Sequence, residues 1–108
     1  MNKKMKNIEM VKSVNSLAAF VNKDKIVPVA LSTAISANIK SLTRELEPYE
    51  EERKKIIALD SKDGQERFEE LCNLEVDVPI RTVVPEIIEE LELSTKDYMA
   101  LEFMIAGD

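Results

Sequence analysis

Apolar positions recur along this chain in two different periods, and the change of period marks its elements. From Asn7 the apolar residues fall at Ile8, Val11, Val14, Leu17 (with Ala18) and Val21. Steps of three and four predict a helix. Asn7 is suited to cap it, because a side-chain amide oxygen accepts from the free N–H groups of a first turn. Glu9 lies where an acid complements the helix dipole. Asn22-Lys23-Asp24-Lys25 reads as the first loop.

Pro28 suits a first helical position, where its missing N–H has no intrahelical partner. The stripe that follows is Leu31, Ile35, Asn38 (beside Ile39), Leu42, Leu46, Tyr49, Arg53 and Ile56, at steps of 4, 3, 4, 4, 3, 4 and 3. This near-heptad seam predicts lengthwise packing against a second helix. Unbroken over 28–58 it would be about 45 Å long. Pro48 interrupts it, because an interior proline costs about 3 kcal/mol. Glu50, Glu51 and Glu52 then precede Arg53, Lys54 and Lys55, the charge order of a new helix start. The expectation is a helix that kinks or briefly breaks at Glu47-Pro48 and continues in phase.

Asp60-Ser61-Lys62-Asp63-Gly64 reads as a turn, and residues 65–74 as a short helix with Phe68, Leu71 and Cys72 on one side, forming a helical hairpin with residues 44–59. Over 75–84 the period changes to two: Val76, Val78, Ile80 and Val84 against Glu75, Asp77, Pro79 and Arg81. That is a strand pattern, and Pro79 makes it an edge strand or extended segment. A lone strand needs a mate. The candidates are residues 2–8, otherwise a frayed basic tail, or the same segment of a second copy. Pro85 restarts a helix carrying Ile87, Ile88 and Leu91, and Ser94-Thr95-Lys96-Asp97 is a capping signature. Seven of the eight residues from Tyr98 to Ile105 are apolar, so this last helix is expected to be buried on more than one side. Gly107 follows its end.

The fold class expected is therefore mainly α with a minor β element: a long kinked helix, a helical hairpin, one short edge strand and a buried C-terminal helix, in a single domain over 1–108. The composition agrees. Of 108 residues, 44% are hydrophobic and 33% charged, with only two glycines, a balance that favours charged helical surfaces over many tight turns. The unmated strand and the surplus of apolar residues in the last helix both suggest a homo-oligomer, formed through the long helix and the C-terminal helix, with Leu42, Leu46, Tyr98, Leu101 and Phe103 as candidate interface residues.

The net charge of −6 makes the chain a poor ligand for nucleic acid, which is bound mainly through Lys and Arg. The charge is uneven: residues 1–12 carry Lys3, Lys4, Lys6 and Lys12, whereas residues 75–108 carry nine acids against Arg81 and Lys96. The uneven part is either solvated surface or an acidic face for a basic partner. No apolar run approaches the length of a membrane span, and no signal peptide is visible after the basic Met1-Asn2-Lys3-Lys4. The single Cys72 has no disulfide partner in the chain. These features place the protein in a cytoplasm.

Candidate chemistry is sparse. The chain has no histidine, which removes the commonest general base and metal ligand. Cys72, among Phe68 and Leu71, reads as a small core residue. The acid pairs read as solvated helix faces, so no catalytic residue, metal ligand or cofactor is expected. Asn38 is a polar residue on an apolar stripe: either a buried amide that sets register or part of a ligand or partner site. Tyr49 and Arg53, one turn apart, are either the amphipathic rim of the core or an anion- or nucleotide-binding corner.

The segments Val27-Pro28-Val29, Ala37-Asn38-Ile39, Tyr49-Glu50-Glu51-Glu52-Arg53-Lys54-Lys55, Glu75-Val76-Asp77-Val78 and Ala100-Leu101-Glu102-Phe103-Met104-Ile105 resemble small uncharacterised helical proteins of phages and prophages of Gram-positive bacteria. The resemblance spans most of residues 7–105 and departs at 60–64, where the similar proteins carry a longer insertion. It implies a phage setting and a helical fold with an extended segment before the last helices, and it implies no reaction. The reading that combines these observations is a non-catalytic phage accessory protein that binds a host factor stoichiometrically, a defence component being one such target. The alternatives are a sponge for a nucleotide-like signal using Asn38, Tyr49 and Arg53, and a virion (tail) assembly chaperone or minor structural protein.

Overall fold

The alternation of valines and charges over residues 75–79 finds its mate at the other end of the chain. In the computed structural model, which describes residues 2–59 and 62–107, β1 (Asn2–Lys6) pairs antiparallel with β2 (Glu75–Pro79). The basic N-terminus is thus an edge strand rather than a frayed tail, and β2 needs no second copy to be satisfied. The register sets Lys4 opposite Asp77 and Lys6 opposite Glu75 on the exposed face, and Met5 opposite Val76 on the inner one. Opposite charges facing each other across a pair favour that register, and a slip of one residue would turn Met5 and Val78 outward. Lys3 adds a tie to the C-terminal segment, its Nζ donating to Phe103 O at 3.3 Å.

Six helices occur among the described residues, and with the two-stranded sheet they make the chain mainly α with a minor β element. In α1 (Asn7–Asn22) the buried positions are Asn7, Met10, Leu17 and Phe20. The face is therefore turned from the one expected: Ile8, Val11 and Val14 are only half-buried and Val21 is half exposed. Asn7 is not the cap. Lys6 occupies that position, and its N–H donates to Glu9 Oε1 at 3.0 Å. Lysine has no acceptor to return, so this cap works in one direction only. Asn7 instead stitches α1 to α4 (Lys62–Asn73): Nδ2 donates to Leu71 O at 2.8 Å and its N–H to Leu74 O at 3.1 Å. Leu71 O, in the last turn of α4, thus accepts from Asn7 Nδ2 as well as from the Leu74 N–H at 3.3 Å.

The long stripe is buried from Leu31 to Tyr49, whereas its last two positions, Arg53 and Ile56, are only half-buried. Leu31, Ile35, Asn38 and Leu42 in α2 (Val29–Glu45), then Leu46, then Tyr49 in α3 (Glu47–Leu59) are all buried. The interruption falls at Leu46, one residue earlier than Glu47-Pro48. Pro48 thereby lies in the first turn of α3, where its lost donor is inexpensive. Leu46 N–H still donates to Leu42 O (3.0 Å) and Glu50 N–H to Leu46 O (2.9 Å), so four-residue bonding carries the phase across the break.

α4 begins at Lys62, so Lys62, Asp63 and Gly64 are helical and not part of a turn; Asp60 and Ser61 of that expected turn lie outside the described residues. Gly64 is buried, and a Cβ there would stand 3.2 Å from Ile56 O of α3. Its role is to let the two helices of the hairpin approach. Phe68, Leu71 and Cys72 pack against the core from α4, as their shared side suggested.

After β2 the chain runs through α5 (Pro85–Glu89) and α6 (Thr95–Leu101), which tightens into a 3-10 turn over Glu102–Met104. The last helix is thus shorter than expected. Ile105 is extended and bridges Val83 in parallel, with Val83 N–H donating to Met104 O (2.9 Å) and Ala106 N–H to Val83 O (2.8 Å). Leu101 and Met104 are fully buried, whereas Tyr98 and Met99 are largely exposed.

Reversing Lys4 and Lys6 to Glu should lower unfolding stability by about 1 kcal/mol, since like charges would face each other at two cross-strand positions. Reversing Glu75 and Asp77 to Lys in the same chain should restore it, as read by denaturant unfolding. An equal loss in the quadruple variant would show that the cross-strand charges do not select this register.

Candidate functional site

Asn38 projects from the buried stripe of α2 toward the segment that leaves β2. Its Oδ1 accepts the Arg81 N–H at 2.7 Å, and its Nδ2 donates to Arg81 O at 2.9 Å and lies 3.5 Å from Met104 Sδ. One carboxamide thus satisfies both polar groups of a residue that has left the sheet ladder. It is 1% exposed, and burial of such an amide is tolerated only with partners of this kind.

Tyr49 and Arg53 share a face of α3, and their environments differ. Tyr49 is 6% exposed. Burial pushes its phenol above the usual value, reinforced by the neighbouring Cys72 and opposed by the charge of Arg53. Arg53 is half-exposed and stands 3.8 Å from Glu50, an exposed pair of small energetic weight. Asn38 and Tyr49 are eleven residues apart on one stripe, about 16 Å along a helix axis. Asn38 therefore stands apart from the Tyr49–Arg53 pair.

Of the candidate interface residues, Leu42, Leu46 and Leu101 are covered by the chain itself, so their burial requires no second copy. Phe103 is half-buried against the core and Tyr98 remains 46% exposed. The surplus of apolar side chains in the last helix is absorbed mainly by the core, through Leu101 and Met104.

An ion cluster around a buried carboxylate, not legible in the sequence, sits at the loop that leads into α2, with both of its lysines partly exposed. Asp97, in the first turn of α6, has a side chain only 4% exposed and binds Lys23 Nζ and, at 3.3 Å, Lys25 Nζ. Its N–H also donates to Ser94 Oγ at 3.1 Å, which is the capping contact read from the sequence. The hydrogen bond from Lys23 holds the Asp97 carboxyl below the usual carboxylate range, against the opposing effect of burial, with Lys25 adding to the lowering. Between the two lysines Asp24 adopts φ 55, a left-handed conformation that Asp tolerates better than most side chains. Its N–H donates to Val21 O at 3.0 Å, ending α1. The α1–α2 loop is therefore pinned on both sides of a backbone reversal.

Two kinds of concavity flank α2. One is a groove of about 330 Å³ beside the pinned loop, with Phe20, Val27, Ile35 and Ile39 on its walls. Around it Val21 is 50%, Val29 81% and Ile26 99% exposed. The other is polar and lies where α2 meets residues 79–82, with Asn38, Ser41, Arg81 and Thr82 at its floor and rim. Among the described residues no group of three or more His, Cys, Asp or Glu comes together to hold a metal ion, and no helix is long and apolar enough to cross a membrane.

Replacing Asn38 by Ala should destabilise the fold by about 2–4 kcal/mol, since two hydrogen bonds are lost and the Arg81 N–H and C=O are left to whatever water can reach them. Equilibrium unfolding in urea checks this; a loss below 0.5 kcal/mol, roughly the size of a neutral surface change, would contradict the role assigned to the amide. For Asp97→Asn the expected outcome is pH-dependent. A carboxyl with a lowered folded-state pKa contributes stability above its unfolded value of about 3.9, and loses it as pH falls through the folded value. The melting temperature of the wild-type chain should therefore exceed that of Asp97→Asn at pH 7, and the gap should close on acidification below about pH 4. A gap independent of pH would contradict the ion cluster.

Comparison of the chain with known protein families, with curated proteins and with solved structures returned no match.

Proposed function

We propose that this chain is a non-catalytic accessory protein of phage type that acts in the host cytoplasm by stoichiometric binding of a host protein, a defence component being the kind of target it would occupy. The observation that carries this reading is the display of apolar side chains at the α1–α2 corner. Ile26 is 99% and Val29 81% exposed beside a groove walled by Phe20, Val27, Ile35 and Ile39. An apolar side chain at full exposure contributes nothing to folding, whereas covering it on association is worth about 1.5–3 kcal/mol. The corner is held in shape by the Lys23 and Lys25 pairs with Asp97, so little ordering entropy opposes docking. The occupant that fits is a protein segment presenting apolar side chains to the groove. The resemblance to phage proteins in the sequence supports the setting.

Affinity capture from a lysate of a Gram-positive bacterium, followed by light scattering of the reconstituted complex, tests the reading. The wild-type chain should retain one host protein at a fixed molar ratio, and Ile26→Asp and Val29→Asp should each weaken its retention at least tenfold without changing the melting temperature by more than a few degrees. Capture of no host protein, or equal capture by the wild type and both variants, would overturn the docking surface.

A further inference from the structure

The groove leaves a second concave surface unexplained, on the side of α2 that faces residues 79–82. Two adjoining hollows of about 430 and 400 Å³ meet there and share Ala37 and Arg81. Lys40 lines one of them and Thr82 the other, with Ser36 and Ser41 supplying hydroxyls from α2. No acid lines either hollow, and between Asp24 and Glu45 the sequence contains none at all, although the chain as a whole carries −6. Neither the Arg81 guanidinium nor the Lys40 ammonium forms an ion pair or a side-chain hydrogen bond among the described residues, while Lys23, Lys25, Arg53 and Lys55 each have an acid partner. Arg81 is nevertheless not a loose surface residue. Both of its backbone polar groups are held by the buried Asn38, so the base of the side chain is fixed over the hollow.

We infer that the Arg81–Lys40 hollow is a binding site for a small phosphate ester. A guanidinium offers paired donors that match two oxygens of a phosphate, an ammonium adds a point charge, and hydroxyls complete the acceptor demand. A rigid anchor reduces the entropy lost when the guanidinium is ordered by its ligand. The ligand is small rather than a nucleic acid, because the net charge of −6 repels a polyanion whose affinity comes from many phosphate contacts. The site lies across α2 from the protein-docking corner and shares only Ser32 and Ser36 with its groove.

Two-dimensional amide NMR of the full chain tests this, with titrations of ribose 5-phosphate and of inorganic phosphate at constant pH and ionic strength, and sodium chloride as the control. Ribose 5-phosphate should produce saturable shifts confined to residues 36–41 and 80–82. Arg81→Ala and Lys40→Ala should each weaken that binding about tenfold, with the remaining amide spectrum unchanged because neither side chain packs in the core. Arg81→Lys should fall between the wild type and Arg81→Ala. Shifts that do not saturate, or that spread over Lys3, Lys4 and Lys54 and are reproduced by chloride, would overturn the site. So would saturable binding that survives both alanine variants. Binding of inorganic phosphate without ribose 5-phosphate would overturn the assignment to an ester.

Discussion

Burying a carboxamide in the middle of a leucine stripe is unfavourable unless its donors and its acceptor are all met at once. Asn38 meets that condition because Arg81 presents N–H and C=O side by side just after the sheet ends. The pairing has one register only. Sliding α2 by a turn would replace the amide with Leu42 or Ile35 and strand both backbone groups of Arg81. The rest of the arrangement follows from that constraint. β2 is held at its exit, so the edge that receives β1 is fixed. Met104 packs beside the amide, which places the C-terminal turn and lets Ile105 bridge Val83. A hydrophobic residue at position 38 could fill the space, but it would not distinguish this docking from one a turn away.

The uneven charge of the chain resolves into local pairings. Part of the basic N-terminus lies opposite acids of β2 in the strand register. Lys23 and Lys25 converge on Asp97, so among the described residues the acidic C-terminal third contributes one carboxylate to the interior and the others to the surface. α2 stands apart from these pairings: the sequence is acid-free between Asp24 and Glu45, and among the described residues Lys40 and Arg44 form no ion pair. Net charge alone would assign the molecule an acidic character throughout. The positive exception sits on the helix that also carries the register amide.

The α2 seam, the in-phase continuation past Pro48 and the period-two pattern of β2 were all legible, because each rests on a repeat that one element imposes by itself. β1 was legible only as one of two mates for β2: Met5 is its sole buried residue, too little for a pattern. Gly64 punctuates like a turn, yet it serves close helix approach, which depends on a partner surface the sequence does not display. In α1 the apolar residues cover a wide arc, and packing against α2 and α6 chose Met10 and Phe20 over Ile8 and Val21. Of the candidate residues, Asn38 stood out because a polar residue on a seam is an anomaly in one dimension. Asp97 was visible as a capping residue but not as a buried charge, since its lysines are more than seventy residues away. Arg81 alternates with valines as any solvated residue of an edge strand would, and only the bond to Asn38 sets it apart.

Ser32 and Ser36 belong to both concavities: they line the apolar groove on one side of α2 and the hollow beside Arg81 on the other. A single turn of one helix is therefore the wall between the exposed apolar corner and the unpaired cations. That wall is held from below by the Asn38 bonds to Arg81, and the loop leading into it by the Asp97 ion pairs. Any ligand that orders or displaces Ser36 changes the ground on which the second must bind, and such a coupling is reciprocal, each ligand altering the affinity of the other by the same factor. Two surfaces with unlike chemistry thus meet at one shared wall, and no residue outside it lines both.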